Sequence, residues 1–141
     1  MPTIADRIDS YFIQMEWPFE RIDNTLWRTA FPGDLQIHEV FVSSDDVWIS
    51  LRSMVGRAPA AGCRAKVNEL LLRLNSLIPM TKFSIMENGD IFALIDLPAF
   101  DLNYSDFRSA ITNLINHVDA HDNEILALCT DEAKTSSLAP A

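Results

Sequence analysis

The sequence is short of cations, glycine and cysteine, and each shortage excludes a class of function. Its 141 residues include 11 lysines and arginines against 20 aspartates and glutamates, for a formal net charge of -9. Binding to nucleic-acid phosphates or to an anionic membrane surface depends on clustered cations, so we expect neither partner. The four glycines are scattered along the chain and cannot form a glycine-rich phosphate-binding loop.

Long apolar runs are also absent. The chain has no stretch of about 18 apolar residues, the length that a membrane-spanning helix needs. Its first residues, MPTIADRIDSYFIQMEW, have neither a basic start nor a continuous apolar segment, so we expect no signal peptide. The two cysteines, Cys63 and Cys129, are too few for a disulfide framework and are expected to be buried thiols. Together these features predict a cytoplasmic protein.

The overall composition is that of one folded domain. Hydrophobic residues make up 48% of the chain, and a chain of 141 residues can bury one core without disulfides or metals. The last residues, TDEAKTSSLAPA, are small and polar and offer little apolar surface to bury. We therefore expect a single domain over residues 1–129 and a flexible tail over residues 130–141.

Three segments carry apolar residues at helical spacing and are predicted to be helices. They span about Thr3–Met15, Cys63–Leu77 and Ser105–Leu128. Thr3, with Asp6 three residues later, is typical of a helix start. A proline follows each of the first two segments, where the helix is expected to end.

Five shorter segments are predicted to be strands. They span about Thr25–Phe31, Ile37–Ser43, Val47–Met54, Lys82–Glu87 and Asp90–Leu97. Their short connections favour antiparallel pairing, and Asn88-Gly89 predicts a two-residue turn in which both residues have positive φ. The element order α-β-β-β-α-β-β-α predicts an α+β domain built on a single antiparallel sheet of about five strands with three helices.

Both faces of this predicted sheet carry apolar side chains. In one strand, Ile49 and Leu51 point to one face while Trp48 and Met54 point to the other. Either helices cover both faces within one chain, or one face contacts another protein. Large apolar and aromatic side chains are enriched in interface cores, although they are also common in ordinary sheet cores. The candidate partner-binding residues are Trp27, Phe31, Trp48 and Met54.

The element order and the segment LLLRLNSLIPMTKFSIMENGDIFALIDLP resemble the YbjN-like proteins and the wider type III secretion chaperone-like fold. The matching positions are Leu70, Leu71 and Asn75, then Lys82–Ile85, Gly89 and Ile91–Leu97, and finally Phe107, Leu114 and Val118. The resemblance implies a small, acidic, cytoplasmic binding protein that is usually dimeric. In this fold the secretion chaperones hold extended segments of client proteins, whereas YbjN-like proteins are described as sensory or regulatory.

Three polar residues of the last predicted helix share one helical face. His117, His121 and Glu124 stand at positions i, i+4 and i+7, a spacing at which the two imidazoles could bind zinc with the help of Glu124 or Asp122. A structural zinc site needs four ligands, however, and the third histidine, His38, lies far away in the sequence. A solvated polar face is therefore favoured, and we expect no bound metal and no cofactor. No G-x-S-x-G elbow or comparable frame holds a nucleophile, so no catalytic residue is assigned.

The sequence thus predicts a non-enzymatic protein-binding module, a chaperone-like or regulatory adaptor that forms a homodimer and binds a client protein through an apolar sheet or groove surface. The alternative is a small-molecule or metal-sensing regulator with its ligand between sheet and helices. An exposed apolar patch favours the first hypothesis, and an enclosed, polar-lined pocket favours the second.

Overall fold

The computed structural model describes residues 2–130 and contains one six-stranded antiparallel sheet and three helices. In chain order the elements are α1 (Ile4–Gln14), β1 (Phe19–Asp23), β2 (Leu26–Pro32), β3 (Ile37–Ser44), β4 (Trp48–Gly56), a short 3-10 helix (Ala61–Cys63), α2 (Arg64–Leu77), β5 (Lys82–Ile85), β6 (Ile91–Pro98) and α3 (Tyr104–Cys129). The strand order across the sheet is β1-β2-β3-β4-β6-β5. The predicted α+β class and single antiparallel sheet are confirmed. Most of the expected tail, residues 130–141, lies outside the described residues.

β1 is the one strand that the sequence did not predict. Its residues, FERID, are mostly charged and lack the alternation of a half-buried strand. Tertiary contacts hold it in place: the Phe19 ring stacks on Phe12 with 4.9 Å between centroids, and Glu20 pairs with Arg28 of β2 at 2.7 Å. The residues that stabilise β1 belong to α1 and β2. The sequence of β1 itself therefore contains no pattern that predicts a strand.

Side chains at the helix starts satisfy backbone groups that have no partner within the helix. The Asp6 backbone N–H donates to Thr3 Oγ1 at 3.0 Å, and the Thr3 N–H donates to Asp6 Oδ2 at 3.2 Å. This reciprocal capping box confirms the predicted start of α1. Asn103 plays the same part for α3, because its Oδ1 accepts from the Asp106 N–H at 2.9 Å.

The turn between β5 and β6 differs from the predicted two-residue turn. The Gly89 N–H donates to the Met86 carbonyl and the Met86 N–H donates to the Asp90 carbonyl, both at 2.8 Å. Gly89 has φ +93°, whereas Asn88 is not among the residues with positive φ. The connection is thus a four-residue turn, Met86 to Gly89, followed by a bulge at a left-handed glycine. The prediction of positive φ is confirmed for Gly89 and wrong for Asn88.

The core lies between the sheet and the helices. Trp27, Val42, Leu51 and Ile95 are neighbours in register across four strands, and each is at most 4% exposed. α3 packs across β4, β6 and β3, with α1 against α3 and α2 against β5. Both cysteines are buried. Within residues 2–130, no helix has the length and apolar content that crossing a bilayer demands.

Candidate protein-binding surface

One face of the sheet packs against the helices, and the other, which we call the open face, is not covered by any helix within residues 2–130. Successive side chains of a strand point to opposite faces, so every second residue lies on the open face. In β4, for example, buried residues on the helix side alternate with exposed or half-buried residues on the open face. The larger apolar side chains on it include Leu26, Ile37, Phe41, Trp48, Met54, Phe92 and Leu94. Within residues 2–130 the helices therefore cover one face only, so the alternative in which helices cover both faces is wrong for the described part of the chain.

The centre of the open face is apolar around one arginine. Phe41 lies opposite Arg52 on β3 and β4, and Arg52 lies opposite Leu94 on β4 and β6. One step along the strands, Met54 lies opposite Phe92. Cross-strand neighbours on one face are about 5 Å apart, so these five side chains form one contiguous patch. We call Phe41, Arg52, Met54, Phe92 and Leu94 the central patch.

Several charged side chains on the open face have a partner on the same face, whereas Arg52 has none among the described residues. Arg28 is 2.7 Å from Glu20 and 3.5 Å from Glu39, and Asp96 accepts a 2.6 Å hydrogen bond from the Ser50 hydroxyl. Arg52 is half-buried between its apolar neighbours and forms no ion pair with any residue between 2 and 130. The central patch thus presents an apolar surface with one cation that lacks a counter-charge.

A second apolar area lies where β4 begins and β6 ends. The Ala99 N–H donates to the Val47 carbonyl at 2.8 Å, which brings these two chain segments together. Val47, Trp48 and Phe100 are 61%, 48% and 83% exposed. The Asp45 carboxylate accepts the Val47 and Trp48 N–H groups at 2.7 and 2.6 Å, so the start of β4 is held in a fixed conformation. The same two bonds, that of Trp48 first, lower the pKa of Asp45 below its ordinary value.

The four predicted partner-binding residues are divided between the two faces. Trp48 and Met54 lie on the open face, as a partner-binding role requires. Trp27 is 0% exposed, and its indole Nε1 donates to Asp9 Oδ1 at 2.8 Å. Phe31 is half-buried on the helix side against the ring of Trp17, with 4.4 Å between centroids. Trp27 has no exposed surface and Phe31 packs against Trp17 on the helix side, so the proposal below does not use these two residues.

The two edges of the sheet are unequal. At the β5 edge the Asn75 side chain of α2 occupies the backbone groups of Phe83 that a further strand would use. Its Oδ1 accepts from the Phe83 N–H at 2.7 Å, and its Nδ2 donates to the Phe83 carbonyl at 3.1 Å. Lys82 Nζ also bonds the carbonyls of Asn75 and Ile78 at the end of α2. Strand addition at β5 is therefore obstructed, which leaves β1 as the edge that an extended segment could join.

The predicted histidine face is present but does not gather a metal site. The rings of His117 and His121 are parallel with 6.1 Å between centroids, and His121 Nδ1 is 2.9 Å from Glu124 Oε1. Burial, followed by the neighbouring His121 and Lys82, lowers the pKa of His117. Among the described residues, the cluster that could hold a metal is a different one, made of His38, Asp119 and Asp122. Sequence reasoning missed it because His38 is on β3 and its partners are 81 and 84 residues away on α3.

Two depressions of the described surface are open to solvent. One of about 500 Å³ runs along the outer side of α3 and is lined mostly by polar residues, among them Tyr104, Arg108 and Asn113. Another of about 490 Å³ lies between the start of α1 and the β3–β4 turn. Neither is an enclosed pocket between sheet and helices, where core side chains pack instead.

Comparison with solved structures identifies the fold as that of YbjN and the type III secretion chaperones. YbjN of E. coli, described as a candidate transcription regulator, aligns over 88% of this chain and 95% of its own, with a TM-score of 0.62 and 12% identity. A chain of the HopA1–SchA chaperone–effector complex aligns over 83% and 91%, with a TM-score of 0.60 and 14% identity. A chain of the heterodimeric ExoU–SpcU complex from the type III secretion system of Pseudomonas aeruginosa aligns over 86% and 96%, with a TM-score of 0.59 and 15% identity.

No protein-family model and no curated protein matches the sequence. At identities of 12–15% the structural likeness shows the fold, and function has to be argued from the surface of this chain.

Proposed function

We propose that the protein is a non-enzymatic cytoplasmic binding module, a chaperone-like or regulatory adaptor that holds a segment of a partner protein on the open face of its sheet. The observation that carries the proposal is the uncovered central patch together with Trp48. Met54 and Trp48 remain 39% and 48% exposed although each lies in a strand at the centre of a folded sheet. Burying such side chains contributes roughly 25 cal/mol for each Å² removed from water.

The charge pattern defines the kind of segment that fits. The chain as a whole carries a formal charge of -9, which repels acidic proteins at long range. The central patch nevertheless contains Arg52, half-buried and without an ion pair among the described residues. A partner segment with apolar side chains and one carboxylate opposite Arg52 would fit both the apolar patch and its unpaired cation. A guanidinium and a carboxylate form strong charge-assisted hydrogen bonds, and these are stronger where the interface excludes water.

The structural neighbours support a protein partner. Two of them are solved as complexes between two proteins, one of which is described as a chaperone–effector complex. The open β1 edge adds a second mode of contact, since an extended segment could pair with its backbone while its side chains reach the open face. The alternative hypothesis, a ligand held between sheet and helices, has less support because core side chains occupy that space.

Self-association through the open face is a second proposal on the same surface. Two copies with a charge of -9 each repel one another, so a homodimer must depend on apolar burial. A second copy and a client segment would then compete for the central patch.

The test uses two matched variants, Met54→Lys on the open face and Leu72→Lys on the outer side of α2. Leu72 is 70% exposed, so the control introduces the same charge at a more exposed apolar residue away from the sheet. Affinity capture from the native cell, with quantitative mass spectrometry, is expected to recover a partner with the wild type and with Leu72→Lys. Met54→Lys should recover at least about tenfold less, since a charge in a buried interface costs several kcal/mol. Equal recovery with all three proteins would contradict the proposal.

A further inference from the structure

We propose that His38, Asp119 and Asp122 bind a first-row divalent metal ion of the zinc type, which ties the β2–β3 hairpin to the middle of α3. The site is separate from the open face, because His38 lies on the helix side of β3, between the sheet and α3. Metal binding at this site therefore goes beyond the proposed partner binding, and a test of one does not decide the other.

The donor atoms have the spacing of a coordination sphere. His38 Nε2 is 3.2 Å from Asp119 Oδ1 and 3.6 Å from Asp122 Oδ2, and the three ligand atoms all lie within 4.8 Å of one another. Tetrahedral zinc with bonds of about 2.0–2.1 Å separates its ligands by about 3.3 Å. Small rotations of two carboxylates suffice to bring the three atoms around one ion.

Burial makes a cation at this place energetically useful. His38 is 2% exposed and Asp122 is 1% exposed, yet among the described residues Asp122 has only a 3.3 Å hydrogen bond from Gln36 and the imidazole at 3.6 Å. A buried carboxylate normally has short, charge-assisted bonds or a cation. Here two carboxylates converge on one imidazole, and a divalent ion would neutralise both.

Residues of the β2–β3 turn orient the proposed metal ligands and lie close to them. The Asp34 N–H donates to Asp119 Oδ1 at 2.9 Å, which fixes the orientation of that carboxylate. Gly33 allows the close approach, because a Cβ there would overlap His38 Nε2 and Asp119 Oδ1. The Gln36 amide lies at the cluster, and rotating it by 180° would offer Oε1 as a fourth ligand.

One imidazole with two or three oxygen donors defines the class of cation. Thiolate-seeking ions such as Cu(I) are disfavoured by this donor set, and Ca²⁺ needs six or more oxygen ligands. Zn²⁺, Co²⁺ and Mn²⁺ accept mixed nitrogen and oxygen ligands. Zn²⁺ is the cation to test first because it binds histidine nitrogen and carboxylate oxygen at four-coordinate sites and has no geometric preference of its own.

The first experiment adds zinc chloride to chelator-treated full-length protein and follows Tm and binding stoichiometry by calorimetry. One zinc ion per chain is expected, with a Tm rise of about 5–10 °C at a hundredfold excess over Kd. His38→Gln and Asp122→Asn should each weaken binding at least about tenfold. The control is His121→Gln, on the half-buried histidine face of the same helix, which should bind zinc as the wild type does.

The second experiment keeps the proposal testable if the variants at the buried positions fail to fold. Co²⁺ added to the wild type should give the visible absorption of a four-coordinate nitrogen and oxygen site, and zinc should displace it. Absence of both the cobalt spectrum and the zinc-dependent Tm shift in the wild type would overturn the proposal. Zinc binding that His121→Gln abolishes would assign the ion to the histidine face instead and would equally overturn it.

Discussion

Met54 lies directly opposite Phe92 on the open face, while the adjacent pair Ser53 and Ala93 is buried against the helices. If β4 slipped by one residue against β6, both pairs would break, and Met54 would move to the helix side while Ser53 moved to the open face. The open face is therefore a consequence of strand register. This register leaves Met54 exposed and Phe92 half-buried, where a sheet covered by helices on both faces would have buried them.

The first prediction contrasts a buried and an exposed tryptophan. Trp27→Phe removes the 2.8 Å hydrogen bond from the indole to Asp9 and leaves a gap in a fully buried site. We expect it to lower the free energy of unfolding by about 1–3 kcal/mol. Trp48→Phe, at a residue 48% exposed, should change it by less than about 0.5 kcal/mol. Urea denaturation compares the two, and equal effects would mean that the faces are assigned wrongly.

The second prediction concerns Gly89. Its φ of +93° is unfavourable for any residue with a side chain, and a Cβ there would be 2.8 Å from the Ala58 Cβ. Gly89→Ala should destabilise the fold by more than about 1 kcal/mol. Gly62→Ala is the control, because Gly62 does not have positive φ.

The two causes at Gly89 can be separated. Ala58→Gly removes the steric contact and leaves the backbone strain, so it should restore only part of the stability lost in Gly89→Ala. Complete restoration would show that φ has no part in the requirement for glycine at this turn.

The third prediction is a loss of stability in acid. Asp6, Asp23, Asp45 and Asp119 each accept a backbone N–H, and this bond is the largest cause that lowers the pKa of each below 3.8. A carboxyl group with a lower pKa in the folded chain stabilises it above the unfolded pKa, and the contribution is lost as pH falls through the folded pKa. Stability should therefore be insensitive to these groups near pH 7 and fall below about pH 4.

Asp45→Asn tests this mechanism at one residue, because an amide keeps an acceptor oxygen for the Val47 and Trp48 N–H groups but cannot titrate. Urea denaturation at neutral and acid pH should show a smaller loss on acidification for the variant than for the wild type. Identical losses would mean that the carboxylate is not a source of the pH dependence.

The fourth prediction concerns self-association. If two chains join through the open face, apolar burial must overcome the repulsion between charges of -9, and salt screens only the repulsion. Sedimentation at micromolar concentration should then show a dimer that persists or tightens as salt rises, and that Met54→Lys dissociates. A monomer at every salt concentration would exclude the homodimer and leave the client proposal standing.

The sequence predicted those elements whose signals are local. Thr3 with Asp6 marked the start of α1, and alternating apolar residues marked β2, β3, β4 and β6. β1 has no such pattern and exists because Phe12 and Arg28 lie beside it. Trp27 is buried and Trp48 is exposed because of the strand register and the position of the helices. Neither of these can be predicted from the types of residue in the strands.

The cluster of His38 with Asp119 and Asp122 shows the same limit more strongly. Helical spacing pointed to His117 and His121, which share a face but do not converge with enough ligands. His38 joins the two aspartates only because α3 packs across β3, a contact between segments about 80 residues apart. Single-sequence patterns report neighbours along a helix or strand and do not report such pairs.

Site-specific photo-crosslinking in the native cell tests the central claim most directly. A benzophenone side chain replaces Met54 on the open face in one protein and Leu72 on α2 in the other. We predict crosslinks to a partner protein from position 54, mapped by mass spectrometry to a segment with apolar residues and a carboxylate, and none to that partner from position 72. Crosslinks to the same partner from position 72 but not from position 54 would contradict the assignment of the open face as the binding surface.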